Sequence, residues 1–302
     1  MYDVTDTVFR QIISGIGKPD VFFTEFVNVE GMCSIGRSNV IYRLQFTEIE
    51  RPIVAQVWGI NPKNFYKIAR EIAGMGFDGI DLNFGCPEKS VMTHGACAAL
   101  IENQELAKEI ILATQEGAQK MPVSIKTRIG IKKIVTEDWI TFLLQFNLAT
   151  LTIHGRTAQE LSDVPAHWEE IGKAVYVRNK LNQKTLIIGN GDVEDLADAS
   201  EKVKQYGVDG VMIGRGIFHN PWLFNLQVTN KSTSPDEKLK LLLKHAQLFE
   251  KTWGNRKNFA ILKKFFKIYC SGFSGASELR AKLMETNTVD QVDQALKEYR
   301  SG

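Results

Sequence analysis

Cysteine is scarce in this chain, with four in 302 residues (Cys33, Cys86, Cys97 and Cys270). None stands in the C-x-x-C pairs of a structural zinc site, and so few in so long a chain do not build a disulfide framework. No metal is therefore expected. No apolar run approaches the ~18–20 residues a membrane span requires. No basic-then-apolar segment opens the sequence, so a cytoplasmic protein away from membranes is expected. Fixed-period repeats and low-complexity tracts are also lacking. A strong charge of one sign is missing as well, the net being +2. That sum hides an asymmetry: 14 Lys/Arg face 8 Asp/Glu from residue 226 onward, against 23 and 27 before it. A basic tail on a mildly acidic body suggests a polyanionic partner, although small helical domains are often basic for solubility alone.

What is present is an alternation. Short apolar or β-branched runs at Val21–Phe26, Ile53–Val57, Gly79–Asn83, Val123–Thr127, Thr150–His154, Leu186–Gly189 and Gly210–Ile213 read as strands. Amphipathic stretches between them, such as Asn61–Met75, Gln104–Gln119, Trp139–Asn147 and Val193–Tyr206, read as helices. Alternating strands and helices imply βαβ units around a parallel sheet. The chain opens on a helix, with Thr5 and Asp6 as N-cap candidates before Val8, Phe9, Ile12 and Ile13. Seven strands suit either an open doubly wound sheet or a (β/α)8 TIM barrel whose first strand is missing, and the motif positions favour the barrel. Beyond residue 235 only helical periodicity remains, with Ser234 and Pro235 as the entry to a bundle of roughly four helices. The expected division is a barrel over 1–228 and a helical domain over 236–302.

In a parallel α/β protein, chemistry gathers at the carboxyl ends of the strands. There stands Cys86, in a Gly85-Cys86-Pro87 turn that stops the run ending at Asn83. Gln56 and Lys126 close two further strands. A lysine in an apolar strand is costly to bury alone, and it either snorkels to the rim or meets an anionic partner such as a reduced flavin. His154 ends another strand, as a satisfied polar residue or as part of a site. The last two strands run into Gly189-Asn190-Gly191-Asp192 and Gly214-Arg215-Gly216. Glycine turns there allow backbone N–H groups to grip a phosphate, the alternative being two plain tight turns.

Taken together, these residues resemble the tRNA-dihydrouridine synthase family. The resemblance rests on Asn83-Phe84-Gly85-Cys86-Pro87 with Lys89 and Val91, on Gly95-Ala96 and Ala98-Ala99-Leu100, and on Val4-Thr5-Asp6 with Phe9-Arg10. It continues through the two glycine turns into Asn220-Pro221-Trp222, and Glu278-Leu279-Arg280 fits the family's small helical domain. The resemblance implies a TIM barrel binding FMN, reduced by NADPH, that adds hydride to C6 and a proton to C5 of uridines in tRNA. It makes Cys86 the proton donor, and Gln56, Lys126, His154, Asn190, Gly191, Asp192, Gly214 and Arg215 the flavin contacts. Asn83 would face the uracil, with Lys89 and Arg128 as further substrate contacts. A thiol of ordinary pKa, ~8.5, stays protonated at neutral pH and suits an acid. Cys33, Cys97 and Cys270 read as packing residues. Lys263, Lys264 and Lys267 would contact phosphates, or simply form a solvated helix face.

One departure stands out. Family members begin with a strand ending Ala-Pro-Met, whereas here Met1 falls where that last residue belongs, so the natural polypeptide is expected to begin some ten residues upstream. Loss of that strand would leave two unpaired edges and open one wall of the pocket. Alternatives are another FMN-dependent barrel oxidoreductase acting on a free pyrimidine or small enone, and an inactive, flavin-free RNA-binding relative. The protein is expected to act as a monomer.

Overall fold

The computed structural model describes residues 3–226 and 233–301 and divides into two compact units. One comprises Asp20–Gly216, the other Asp3–Pro19 with the described residues from Ile217 onward. The opening helix, Thr7–Ser14, therefore belongs with the carboxyl-terminal helices and not with the sheet, which corrects the expected 1–228 division. The reason is an N-cap that does more than cap. Asp6 accepts the Phe9 N–H through Oδ1 (3.1 Å), while Oδ2 accepts the Trp253 indole N–H (2.8 Å) and the buried Lys257 ammonium (2.9 Å). Phe9 packs 4.9 Å, centroid to centroid, from Phe265.

The sheet unit has eight parallel strands: β1 (Phe22–Phe23), β2 (Val27–Asn28), β3 (Ile53–Trp58), β4 (Gly79–Phe84), β5 (Val123–Arg128), β6 (Thr150–His154), β7 (Leu186–Asn190) and β8 (Gly210–Met212). They pair in the order β1-β3-β4-β5-β6-β7-β8, with β2 continuing beside β3. Of the run expected at Val21–Phe26 only Phe22–Phe23 is strand, and a second short piece follows at Val27–Asn28. Between them the Thr24 hydroxyl accepts the Gln56 N–H (3.0 Å), replacing a ladder bond and letting the chain bend. Among the described residues β1 and β8 remain unpaired on their outer sides, so the sheet curls as an open barrel.

Helices flank the strands where the sequence pattern requires. Pro62–Gly74 starts on an Asn61 cap with proline at the first turn, Gln104–Ala118 on Asn103, and Leu196–Tyr206 on Asp195, ending in left-handed Gly207. The last of these begins three residues later than expected, because Asp195 takes the Asp198 N–H. Helix Trp168–Lys180 lies close over β7: a Cβ on Gly189 would sit 2.3 Å from the Trp168 ring, so only glycine fits there.

Strand alternation sorts the side chains. Ile80, Leu82, Ile125, Leu151, Ile153 and Ile187 are fully buried apolar positions. Their sequence neighbours Asp81, Asn83, Ser124, Lys126, Thr152 and His154 occupy the other face, with Asn190 in register beside His154. One face of this sheet is therefore hydrophobic and the opposite one polar toward the carboxyl ends.

In the helical unit, Ser234 and Glu237 form the capping box that opens Pro235–Trp253, followed later by Ala276–Glu285 and Val289–Ser301. The segment expected to be a regular helix around Phe259–Tyr269 is instead a 3-10 turn (Phe259–Phe265) running into a short helix (Phe266–Tyr269). Lys263 reaches the Met284 carbonyl (2.7 Å), so it closes the end of a helix, while Lys264 and Lys267 are exposed.

Candidate active site

The turn after β4 is built by one side chain. Asn83 Oδ1 accepts both the Gly85 N–H (3.1 Å) and the Cys86 N–H (3.0 Å), an Asx turn that lifts Cys86 off the strand. From the neighbouring strand Arg128 donates Nε–H to the Gly85 carbonyl (2.8 Å) and Nη1 to the Thr157 carbonyl (2.8 Å). The guanidinium expected to contact substrate is thus buried and braces the cysteine turn against the loop after β6.

Cys97 is not a passive filler. Its side chain acts electrostatically on Cys86, and its backbone takes the left-handed conformation (φ 54°) just after Gly95 (φ 80°). The Ala98 N–H donates to the Cys86 carbonyl (3.3 Å), tying the two segments together. This pairing pushes Cys86 down to about 6: the Cys97 side chain outweighs burial, and the Glu88 backbone and the Arg128 charge add to it. Cys97 is correspondingly pushed up, by Cys86 and by burial, and keeps its proton. The ordinary thiol expected from sequence is therefore replaced by a pair in which Cys86 loses its proton first.

Around this thiol the strand ends gather cations. Burial pulls Lys126 down to about 8, with Arg128 acting in the same sense and Asp81 and Cys86 opposing. Among the described residues its ammonium has no ion-pair partner within 4.0 Å. Burial and the charges of Lys126, Arg128, Arg156 and Arg215 push His154 down to about 2, so its ring is neutral. Its Nε2 lies 3.2 Å from Arg156 Nη1 and accepts from it, since a guanidinium only donates. Arg156 also pairs with Asp192, which holds the Ala166 N–H at 2.9 Å. Although burial works the other way, the Arg156 bond keeps the Asp192 carboxyl below its ordinary range. Asn190 donates to the Met212 carbonyl (2.8 Å) and so links the two glycine turns. Gly191 has φ 129° and would place a Cβ 2.7 Å from Ala166. A Cβ on Gly214 would meet only open space, and Arg215 is exposed beside it.

The structure thus brings Gln56, Asn83, Cys86, Lys126, Arg128, His154, Asn190, Gly191, Asp192, Gly214 and Arg215 to one rim, with Lys89 exposed on the short helix after the cysteine turn. Sequence reasoning missed Arg156 and the role of Cys97. A half-buried cation, a neutral histidine and an open turn at Gly214 fit a planar, phosphate-bearing cofactor that gains negative charge on reduction, as a flavin does.

The fold is an open parallel β/α barrel with a thiol and a cationic rim at its carboxyl mouth. Solved barrels of similar architecture include morphinone reductase (TM-score 0.53, 13% identity, 78% of this chain and 84% of that one). The old yellow enzyme homologue of Zymomonas mobilis is another (TM-score 0.52, 14% identity, 78% and 87%). These show the fold alone. The dihydrouridine synthase family profile matches residues 1–301. A "Probable tRNA-dihydrouridine synthase" of Staphylococcus aureus (strain COL) is 43% identical over 304 residues, covering 100% of this chain and 92% of that one. "Probable tRNA-dihydrouridine synthase 2" of Bacillus subtilis (strain 168) is 43% identical over 302 residues, covering 99% and 92%. The chain belongs to the dihydrouridine synthase family.

Proposed function

We propose that this protein is a tRNA-dihydrouridine synthase, a flavin-dependent oxidoreductase that reduces the 5,6 double bond of uridines in tRNA. One observation carries the reading: in a chain that matches the family over residues 1–301, a half-buried thiol and a half-buried lysine share one rim. FMN is the flavin assigned and NADPH the electron source; when bound, the flavin supplies the hydride that reaches C6. The chain's own residues do the rest. Lys126 offers positive charge to the ring region that becomes negative on reduction, and Gln56 and His154 offer polar contacts beside it. The turns at Asn190, Gly191 and Gly214, with Arg215, receive the phosphate, while Asp192 holds Arg156 in place.

Cys86 delivers the proton to C5, so that hydride and proton together saturate the double bond. Its lowered pKa means that the productive form is the protonated minority at neutral pH, or is rebuilt when substrate excludes water from the site. Asn83 orients the uracil and Lys89 meets the tRNA strand, whereas Arg128 serves as the brace of the cysteine turn. A uracil stacked within tRNA must be extruded, at a cost of a few kcal/mol. Exposed lysines of the helical unit, Lys264 and Lys267 among them, offset this through phosphate contacts. A cytoplasmic monomer suits this role.

The test is direct. Unmodified tRNA transcript, NADPH and the flavin-loaded protein should yield dihydrouridine by mass spectrometry, and free uridine should not react. Turnover of free uridine at a comparable rate would favour the alternative of an oxidoreductase for small pyrimidines.

A further inference from the structure

Beneath the cysteine turn runs a chain of polar side chains that the proton and hydride transfers do not themselves use. The Asp81 carboxylate, with no exposed surface, accepts from the Ser124 hydroxyl (2.6 Å) and from Gln56 Nε2 (2.8 Å). Gln56 Oε1 accepts from Asn83 Nδ2 (3.1 Å), and Asn83 Oδ1 accepts the Gly85 and Cys86 N–H groups. Gln56 and Asn83 are each 7% exposed, and Ser124 is 8% exposed.

The ends of this chain differ in kind. A carboxylate can only accept, and backbone N–H groups can only donate, whereas a primary amide can face either way. With an acceptor at one end and donors at the other, every bond is made in a single arrangement of the two amides. In that arrangement each amide keeps one more N–H, for which no acceptor is found among the described residues. Two spare donors on the polar face of the sheet suit the carbonyl oxygens of a flavin or of a uracil.

We propose that Asp81 is a positioning residue: through Gln56 and Asn83 it sets the donor polarity of the pocket floor and holds the turn that carries Cys86. The inference rests on the function proposed above, but part of its test does not. What matters is the acceptor and not the charge. In Asp81→Asn the new carbonyl can still take the Gln56 N–H, and the new amide can donate to Ser124. The serine hydroxyl then turns to the Ile80 carbonyl, already 3.5 Å away. Asp81→Leu leaves Gln56 without an acceptor.

The experiment uses the flavin-loaded protein with two readouts, kcat for dihydrouridine formation and the alkylation rate of Cys86 by iodoacetamide, followed on its own peptide by mass spectrometry. Loss of one buried hydrogen bond corresponds to about a tenfold effect, so Asp81→Leu should lower kcat by about tenfold. It should change the alkylation rate by about fivefold or more, while Asp81→Asn and Ser124→Ala stay within about threefold on both readouts. Should Asp81→Leu fail to fold, Gln56→Met cuts the same chain one link later and should move the alkylation rate by about threefold or more, the readout that does not depend on Gln56 meeting the flavin. A fall in Asp81→Asn as deep as in Asp81→Leu overturns the proposal, as does wild-type behaviour of Asp81→Leu. If the unaltered protein makes no dihydrouridine, the functional reading fails, while the alkylation comparison still decides the role of Asp81.

Discussion

Replacing Cys97 with alanine removes the side chain that holds Cys86 down to about 6. Burial then acts on Cys86 with less opposition, and its pKa should rise toward or beyond the ordinary ~8.5 of a thiol. The consequence follows from the acid role. At pH 7 a group of pKa 6 is roughly one-tenth protonated, while one near ~8.5 is almost wholly protonated. Where the protonated thiol limits the rate, kcat/KM falls about tenfold per pH unit above the pKa, so the falling limb should begin near 6 in the unaltered protein. In Cys97→Ala it should begin about two units higher, and activity at pH 8 should rise relative to pH 6. Iodoacetamide alkylation of Cys86 across pH reports the same midpoint without substrate, because only the thiolate reacts. A Cys86 midpoint that does not move on removing Cys97 would refute the coupling. A rate that climbs with pH through that midpoint would refute the acid role.

Other outcomes follow from single contacts. Lys126→Met removes the half-buried cation proposed to face the reduced flavin, a charged contact of about 1.5–3 kcal/mol, so the two-electron potential should fall by about 30–65 mV in spectroelectrochemistry. An unchanged potential would place Lys126 away from the ring. Asp6→Ala removes a helix cap together with the carboxylate bonded to the buried Lys257 ammonium, which should cost about 1.5–3 kcal/mol in urea unfolding; a loss under about 0.5 kcal/mol would show the pair to be dispensable. Gly189→Ala drives a methyl into the Trp168 ring and should destabilise by about 1–3 kcal/mol, read as a lowered Tm.

Much of the fold was legible because β-branched runs and capping residues act locally. Ile53–Trp58, Gly79–Phe84 and Val123–Arg128 fall where the apolar runs fall, and Asn61, Asp6 and Ser234 cap the helices that their positions announced. The rim was legible for the same reason: a strand's carboxyl end can be read from where its apolar run stops. What escaped the sequence depends on contacts distant along the chain. The break at Thr24 exists because a hydroxyl meets the amide of Gln56, 32 positions away. The partner of Asp192, Arg156, lies 36 positions earlier and leaves no mark beside it. Cys97 looked like a small packing residue because a left-handed backbone at a non-glycine position leaves no local mark. The opening helix seemed to belong to the barrel since nothing near Asp6 names Trp253 or Lys257 as its partners.

The central assertion is that the Cys86 sulfur hands a proton to the pyrimidine. Single-turnover stopped-flow tests it most directly: protein carrying reduced flavin is mixed with unmodified tRNA, and flavin reoxidation is followed in unaltered protein and in Cys86→Ala. The variant should bind flavin normally and reoxidise about 10²–10⁴-fold more slowly, the ordinary contribution of a positioned acid. Equal rates in the two proteins, with equal yields of dihydrouridine, would contradict it.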